Sequence, residues 1–350
     1  MLPDGLEALA IHFTHTRSIP QPTSTPASVS PPSRDVGIVS ASSNMKFHPD
    51  SDIPDLSGKV IIVTGGSSGL GKESVHQFAK HNPARIFVGA RTAKRGNAAI
   101  LEIERAVPAM KGKLSYLEMD LASFSSLRNA VKTFLAQSDR LDILMNNAGV
   151  MAQPAGLTED GYEVQFGSNY MGQALFTRLL LPVLQSTAEQ AGSDVRVVNL
   201  GSELFKQAPA EGLSLAQYTT DLSSVGTVSR YAQSKLADAY HTTILAQQYP
   251  KIHSVAVHPG VVSTGIWDDF KKRRPYIGGI LVFLGSLVLT DVHQGTRAQL
   301  WASTAPRESI RNGGFYNDSM KEYKHPLLSK QKLVQDLHSW TEAEFHKKGV

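Results

Sequence analysis

From Lys59 onward the chain alternates short apolar runs with longer stretches of helical length. The runs are "KVIIVT", "RIFVGA", "KLSYLEM", "LDILMNN", "VRVVNL" and "HSVAVH". A strand with one wet face alternates apolar and polar residues, whereas runs this uniformly apolar predict parallel strands buried on both faces by crossover helices. Six of them, spaced by helices, predict an α/β fold: a doubly wound parallel sheet in a single domain. After Pro259 the alternation stops. Residues from about 261 to 330 read as loops and helices appended to the sheet as a small C-terminal lobe, and a polar helix follows near Lys330 to Phe345. No internal repeat is visible.

The first 44 residues differ in kind. "SIPQPTSTPASVSPPSR" is rich in Ser, Thr and Pro and has no apolar period, so residues 1–44 are expected to be a disordered extension and 45–350 the folded domain. Met45 offers an alternative start. Arg17 and Arg34 alone supply positive charge in the extension, too few for a mitochondrial transit peptide, and the segment lacks the unbroken apolar core of a secretory signal. The longest apolar run, Ile277 to Thr290, has 14 residues and falls short of the roughly 20 that span a bilayer. It reads as a buried helix, with the preceding "KKRR" at 271–274 leaving open a membrane-surface contact through 271–290.

Composition narrows the function classes. The chain has 350 residues, 41% hydrophobic and 19% charged, enough apolar material for a sizeable core. A formal charge of +4, spread along the chain, is not a nucleic-acid footprint. The absence of cysteine removes disulfide frameworks, thiolate chemistry and Cys-ligated metal sites, and suits a reducing, cytoplasmic setting. His241, His253 and His258 have no metal-ligand spacing around them and read as structural; no metal site is expected.

Directly after the first apolar run comes "TGGSSGLG", Thr64 to Gly71. Glycines between a strand and a helix allow a tight turn and close approach to a ligand, while the helix N-terminus directs free N–H groups at a pyrophosphate. The residues so placed are Thr64, Gly65, Ser67, Ser68, Gly69, Leu70, Gly71 and Lys72. A dinucleotide domain specific for NAD carries an acid about 20 residues further on. Here that place is held by Arg91, with Lys94 and Arg95 beside it and no acid between Glu73 and Glu102. A guanidinium suits the 2′-phosphate of NADP, so NADP(H) is the expected cofactor.

Further along stand "NNAG" (Asn146 to Gly149), Asn169 in "FGSNYMG", Ser202 in "VVNLGS", "YAQSK" (Tyr231 to Lys235) and "PGVVST" (Pro259 to Thr264). Together with the glycine motif, in this order, they resemble the short-chain dehydrogenase/reductase family over roughly residues 56–320. The spacing of 29 from Ser202 to Tyr231, and "HQGTRAQLWAST…NGGFYND" downstream, look most like its retinol-dehydrogenase and WW-domain-oxidoreductase branch with its fungal relatives. "NLGS" departs from the family's common double serine and leaves Ser202 as the one hydroxyl there.

The resemblance implies roles. Hydride transfer to a carbonyl makes an alkoxide that needs a proton, which Tyr231 would supply, and a cation one turn away favours its phenolate form. Lys235 would also hold the nicotinamide ribose. Ser202 would polarise the substrate oxygen, and Asn169 would hold a water linking Lys235 to solvent. Asp120, closing the third strand, resembles the acid at the adenine edge. Asn147, Ala148 and Gly149 would approach the cofactor, and the loop with Pro259, Gly260, Val262 and Thr264 would receive the nicotinamide end. The expected function is NADP-dependent oxidoreduction of a carbonyl or alcohol in an apolar small molecule such as a retinoid, steroid, fatty aldehyde or polyketide-like intermediate. Residues between Ser202 and Tyr231, and from Trp267 through Leu289, would wall the pocket. Two rivals are a non-catalytic NADP-binding interaction module and a sugar-nucleotide epimerase. The complete Asn169, Ser202, Tyr231 and Lys235 set argues against the first. The glycine spacing G-x-x-x-G-x-G, rather than G-x-x-G-x-x-G, argues against the second.

Overall fold

The computed structural model describes residues 47–260, 262 and 291–350. The expectations for the N-terminal extension, for Thr264, for the 271–290 membrane contact and for the pocket wall from Trp267 through Leu289 lie outside the described residues. The described residues belong to one compact unit.

After a short helix α1 (Pro49–Asp52) the chain runs β1 (Val60–Val63), α2 (Gly69–Ala79), β2 (Arg85–Ala90), α3 (Ala93–Ala106), β3 (Leu114–Glu118), α4 (Phe124–Leu135) and β4 (Ile143–Asn146). It continues through α5 (Val164–Phe166), a π turn (Gly167–Met171), α6 (Gly172–Ala188), β5 (Val195–Leu200), α7 (Thr227–Gln248) and β6 (Ile252–Val257). The last elements are α8 (Val292–Gly295), α9 (Arg297–Thr304), β7 (Phe315–Tyr316) and α10 (Gln331–Lys347). All strand pairs are parallel, in the order β3-β2-β1-β4-β5-β6-β7. The order reverses at β1, the arrangement of a Rossmann-type doubly wound sheet.

The strand period of two sorts the core into two layers. Val60 and Ile62 of β1 face α4, α6, α7 and α10, packing with Phe87, Leu144 and Val197. Ile61 and Val63 face the other side, with Ile86, Val88, Met145 and the helices α2, α3 and α9. This is why the central runs carry no polar alternation: both faces of the sheet are covered, and the edge strand β3, with Ser115 and Tyr116 half-buried and Glu118 exposed, meets water.

A seventh strand extends the six expected ones. Phe315 and Tyr316 pair with Ala256 and Val257 of β6. Two residues are too few to show a period, so the sequence gives no strand signal there. Residues 297–304, assigned above to the appended lobe, lie against β5 and β6 as α9, with Trp301 edge-on to Tyr316 at 5.0 Å. Arg196 explains the polar residue in the fifth run. Its buried guanidinium donates to the carbonyls of Ala302 (3.0 Å) and Ala305 (2.7 Å) at the C-terminal end of α9, where a cation is favoured, and pairs with Asp194.

Two histidines are held neutral inside this packing. Burial drives the His241 and His253 imidazoles down to about 4 from their ordinary range, and the Nε2 atom of each lacks a hydrogen-bond partner among the described residues. In the unfolded chain both take up protons near their ordinary value of ~6.5. Through these two groups the unfolded state binds more protons between pH 6.5 and 4, and the stability they contribute falls as pH drops through that window, opposed in part by Asp238, whose carboxyl burial pushes up to about 6. Urea unfolding from pH 7.5 to 4 should show this loss, and the double substitution His241→Gln, His253→Gln should flatten it; an unchanged slope would contradict the account.

Candidate functional site

The site lies where the sheet reverses, outside the carboxyl ends of β1 and β4. The two strand ends are tied together by side chains. Asn147 Nδ2 donates to the Thr64 carbonyl at 2.8 Å, and the Ala148 N–H donates to Thr64 Oγ1 at 2.9 Å. Thr64 is fully buried, so its hydroxyl is a fixed post rather than a solvent contact. Gln173 of α6 braces the same point, donating to the Ala148 carbonyl at 2.8 Å.

Over this clasp the chain bends through Gly65 (φ +66°) and Gly69 (φ +52°), backbone values that disfavour any residue with a Cβ. Gly71 is required for a different reason. A Cβ there would sit 2.4 Å from the Gly65 carbonyl oxygen and 2.5 Å from Asn147 Nδ2. The turn is thus closed down onto the strand ends before α2 begins at Gly69, with the N–H groups of its first turn free. Asn147 Oδ1 is buried without a partner among the described residues, an acceptor at the rim of the glycine turn. A bare backbone cradle, a helix N-terminus and an unspent acceptor fit the pyrophosphate and amide groups of a dinucleotide.

Lys72, read as a cofactor contact, forms an ion pair with Glu102 at 2.6 Å. At the end of β2, Arg91 is exposed and makes no hydrogen bond or ion pair with any described residue. The first turn of α3 just beyond carries Lys94 and Arg95 and no acid. Asp120 follows β3 with one carboxylate oxygen accepting from the Ala122 N–H at 3.0 Å. Val262 is buried against Gly295, where a Cβ would lie 2.4 Å from Val262 Cγ2 and 3.1 Å from Leu70 Cδ2. The glycine turn, the segment after Pro259 and α8 therefore meet at one point. His293 fastens α8 to α2, its Nδ1 lying 3.0 Å from Glu73 Oε1.

The candidate catalytic side chains converge from the π turn, the end of β5 and α7. In the π turn Asn169 is fully buried. Its amide donates to the Val150 carbonyl and to Ser234 Oγ, both at 2.9 Å, while its Oδ1 accepts from the Val150 N–H at 2.7 Å. The turn is held close by Gly172, whose Cβ would strike the Leu121 carbonyl at 2.2 Å. Ser202 follows β5 and caps a short 3-10 turn (Glu203–Gln207), its Oγ accepting from the Leu204 N–H at 3.2 Å. That bond uses a lone pair and leaves the hydroxyl hydrogen for another acceptor.

On α7, Tyr231 and Lys235 lie one turn apart, with the ammonium 5.9 Å from the centre of the phenol ring. Both are buried. Lys235 Nζ donates to the Leu200 carbonyl at 2.7 Å and to Asp238 Oδ2 at 2.8 Å. Gly149 brings the β4 loop up to the same group, since a Cβ there would lie 3.7 Å from Lys235 Nζ. Burial works against a charged Lys235, yet the carboxylate of Asp238 and the Tyr231 phenol outweigh it and hold the amine above its ordinary value. Burial pushes Asp238 up to about 6, against the pull of Lys235.

The start of α7 is anchored by a second buried pair. Arg230 binds Glu163, whose other oxygen accepts from the N–H groups of Gln165 (3.0 Å) and Phe166 (2.7 Å) at the start of α5. One carboxylate so links the helix bearing Tyr231 to the segment leading into Asn169. The stretch between Ser202 and Tyr231 is pinned by Tyr218, which stacks on Phe166 at 3.6 Å and donates to Gln233 Oε1 at 2.7 Å.

Sequence reasoning missed Gln173, Glu163 and Arg230, whose partners are distant in the chain. It also missed Asp238, for which a signal was present: positions 231, 235 and 238 share one face of a helix. Among the described residues no cluster of three metal-ligating side chains occurs.

The chain is similar in sequence and fold to known proteins. A family model described as short chain dehydrogenase fits residues 59–275. A Phomopsis amygdali protein named short-chain dehydrogenase/reductase is 41% identical over 241 residues, covering 65% of this chain and 71% of its own. An uncharacterized oxidoreductase of Schizosaccharomyces pombe is 33% identical over 302 residues, covering 84% of this chain and 87% of its own. Among solved structures, NADPH-bound carbonyl reductase from chicken fatty liver superimposes with a TM-score of 0.57 at 22% identity, over 77% of this chain and all of that one, a likeness of fold.

The cradle gives a direct test. Gly71→Ala places a methyl group where the Gly65 carbonyl and Asn147 already meet, so the turn must open. Calorimetric titration should show dinucleotide affinity reduced by about tenfold or more, ~1.4 kcal/mol; affinity within twofold of the parent would remove the turn from the site.

Proposed function

The chain belongs to the short-chain dehydrogenase family, a nicotinamide-dependent oxidoreductase, and from that premise we propose that it is NADP-dependent and interconverts a carbonyl and an alcohol in an apolar small molecule. The observation that carries the catalytic reading is the buried placement of Lys235 over Tyr231, with the Asn169 turn behind it. An ordinary surface Tyr and Lys at this spacing would both be solvated.

Bound nicotinamide supplies or accepts the hydride. In the reducing direction Tyr231 gives its phenolic proton to the substrate oxygen, and Ser202 donates its free hydroxyl hydrogen to the same atom. Lys235 keeps one N–H beyond those spent on Leu200 and Asp238, and turns it to the ribose hydroxyls. The positive charge of Lys235 also offsets the charge left on Tyr231 as the proton departs. Both N–H donors of the Asn169 amide are committed, so a water reaching Lys235 from solvent docks on Asn169 only by donating to one of its oxygens. Arg91 supports the choice of NADP. A free guanidinium beside a helix start that bears two cations and no acid is an unbalanced positive site, which a 2′-phosphate satisfies and a ribose hydroxyl does not.

Purified protein screened for NADPH oxidation over a panel of aldehydes and ketones tests the reading as a whole. With a substrate so found, Tyr231→Phe should keep cofactor binding while turnover falls by about 10² or more. Near-parental turnover would overturn the proton-donor role.

For Arg91→Ala, titration of both cofactors should show NADPH weakened by about tenfold to a hundredfold, the ~1.5 to 3 kcal/mol of a charge-assisted hydrogen bond, with NADH little changed. Equal weakening of both, or a parent that prefers NADH, would withdraw NADP.

A further inference from the structure

Lys235 is a lysine buried to 5% exposure, and its neighbour Asp238 is buried to 7%. A desolvated amine sheds its proton readily, with pKa values well below neutral-solution lysine when nothing opposes burial. A lysine that must stay charged in such a place needs a fixed counter-charge. The carboxylate 2.8 Å from Lys235 Nζ provides one, and among the described residues Lys235 is its side-chain partner. Its place on α7 is secured from the same helix, where the Asp238 carbonyl accepts from Thr242 Oγ1 at 3.1 Å and Thr242 Oγ1 accepts from Asn199 of β5 at 2.9 Å.

The directions of the bonds matter as much as the charge. An ammonium has three donors. The Leu200 carbonyl at the end of β5 takes one, Asp238 takes the second, and the third is left for the side on which Gly149 and the Tyr231 ring lie. Titratable groups facing the pair are Tyr231 on α7 itself and Tyr170 on the π turn, whose phenol is pushed up mainly by burial and further by Asp238. From β5 the facing group is the Leu200 carbonyl, and from the π turn Asn169 is neutral.

We propose that Asp238 is a positioning residue of the catalytic centre, a buried carboxylate that keeps the Lys235 amine protonated and turns its remaining N–H toward the cleft. The assignment of Lys235 to cofactor and Tyr231 rests on the function proposed above; the charge coupling between Lys235 and Asp238 does not.

The test reads Lys235 directly. In protein labelled with 13C-lysine, the Cε resonance of Lys235, assigned by its disappearance in Lys235→Arg, is followed from pH 6 to 11. In the parent it should titrate above the ordinary lysine value of ~10.4. In Asp238→Asn, which keeps shape and an acceptor but removes the charge, its acid constant should rise at least tenfold, while Asp238→Glu should restore the parental titration. Lys235 in Asp238→Asn titrating within threefold of the parent would overturn the proposal. Should Asp238→Asn fail to fold, the parent alone decides, since titration there below the ordinary value contradicts a protonating role. A second arm measures NADPH affinity by fluorescence from pH 6.5 to 9.5. It should stay level in the parent and weaken by about twofold or more toward pH 9.5 in Asp238→Asn, as the protonated share of Lys235 falls. A shifted Lys235 titration with unshifted NADPH affinity would keep the coupling and discard the contact between Lys235 and cofactor, so the two readings fail separately.

Discussion

The hydrogen bonds joining Thr64 at the end of β1 to Asn147 and Ala148 at the end of β4 are the constraint on which the rest depends. Consecutive strands β1 to β3 grow the sheet in one direction and β4 onward in the other, so the crossovers on either side of this seam depart to opposite faces. The strand ends cannot be filled by a connecting helix, and a crevice is left there by topology alone. The clasp keeps it narrow, and the glycine turn settles onto it. Because Asn147 serves the clasp with its amide nitrogen and leaves its oxygen unspent, one side chain both builds the crevice and faces it.

The four candidate catalytic residues Asn169, Ser202, Tyr231 and Lys235 are placed by the elements that border this seam. Gly149 continues β4, the π turn leads into α6, Ser202 follows β5, and α7 crosses back over them. The buried pairs Arg230–Glu163 and Lys235–Asp238 flank Tyr231 on the same helix. Buried ion pairs contribute little net stability, because desolvation offsets their attraction, but removing one partner is costly. Their value here is in orientation: each ties a residue next to Tyr231 to a fixed bond direction.

Much of this was legible in the sequence. Uniformly apolar runs announced a sheet buried on both faces, and the order of "TGGSSGLG", "NNAG", Asn169, Ser202 and "YAQSK" pointed to residues that the fold brings together as a candidate site. What escaped was of two kinds. The strand Phe315–Tyr316 is too short to carry a period, and its pairing follows from β6 offering a free edge rather than from its own sequence. Gln173, Glu163 and Arg230 act through partners distant in the chain, such as Ala148 for Gln173 and Glu163 for Arg230, and no spacing rule reaches that far. Asp238 was within reach of such a rule, and was hidden because a charged residue three positions from a lysine ordinarily signals a solvated helix face.

The meeting of Leu70, Val262 and Gly295 makes the glycine turn a junction for two distant parts of the chain. Both margins of the segment that separates Val262 from Asp291 are anchored beside the glycine turn, the first through Val262 itself and the second through α8 and its bond from His293 to Glu73. The entropy of bringing such margins together grows only logarithmically with the length between them. The closure of this junction therefore depends only weakly on the number of residues between its margins, and the glycine turn is held by contacts from both of them.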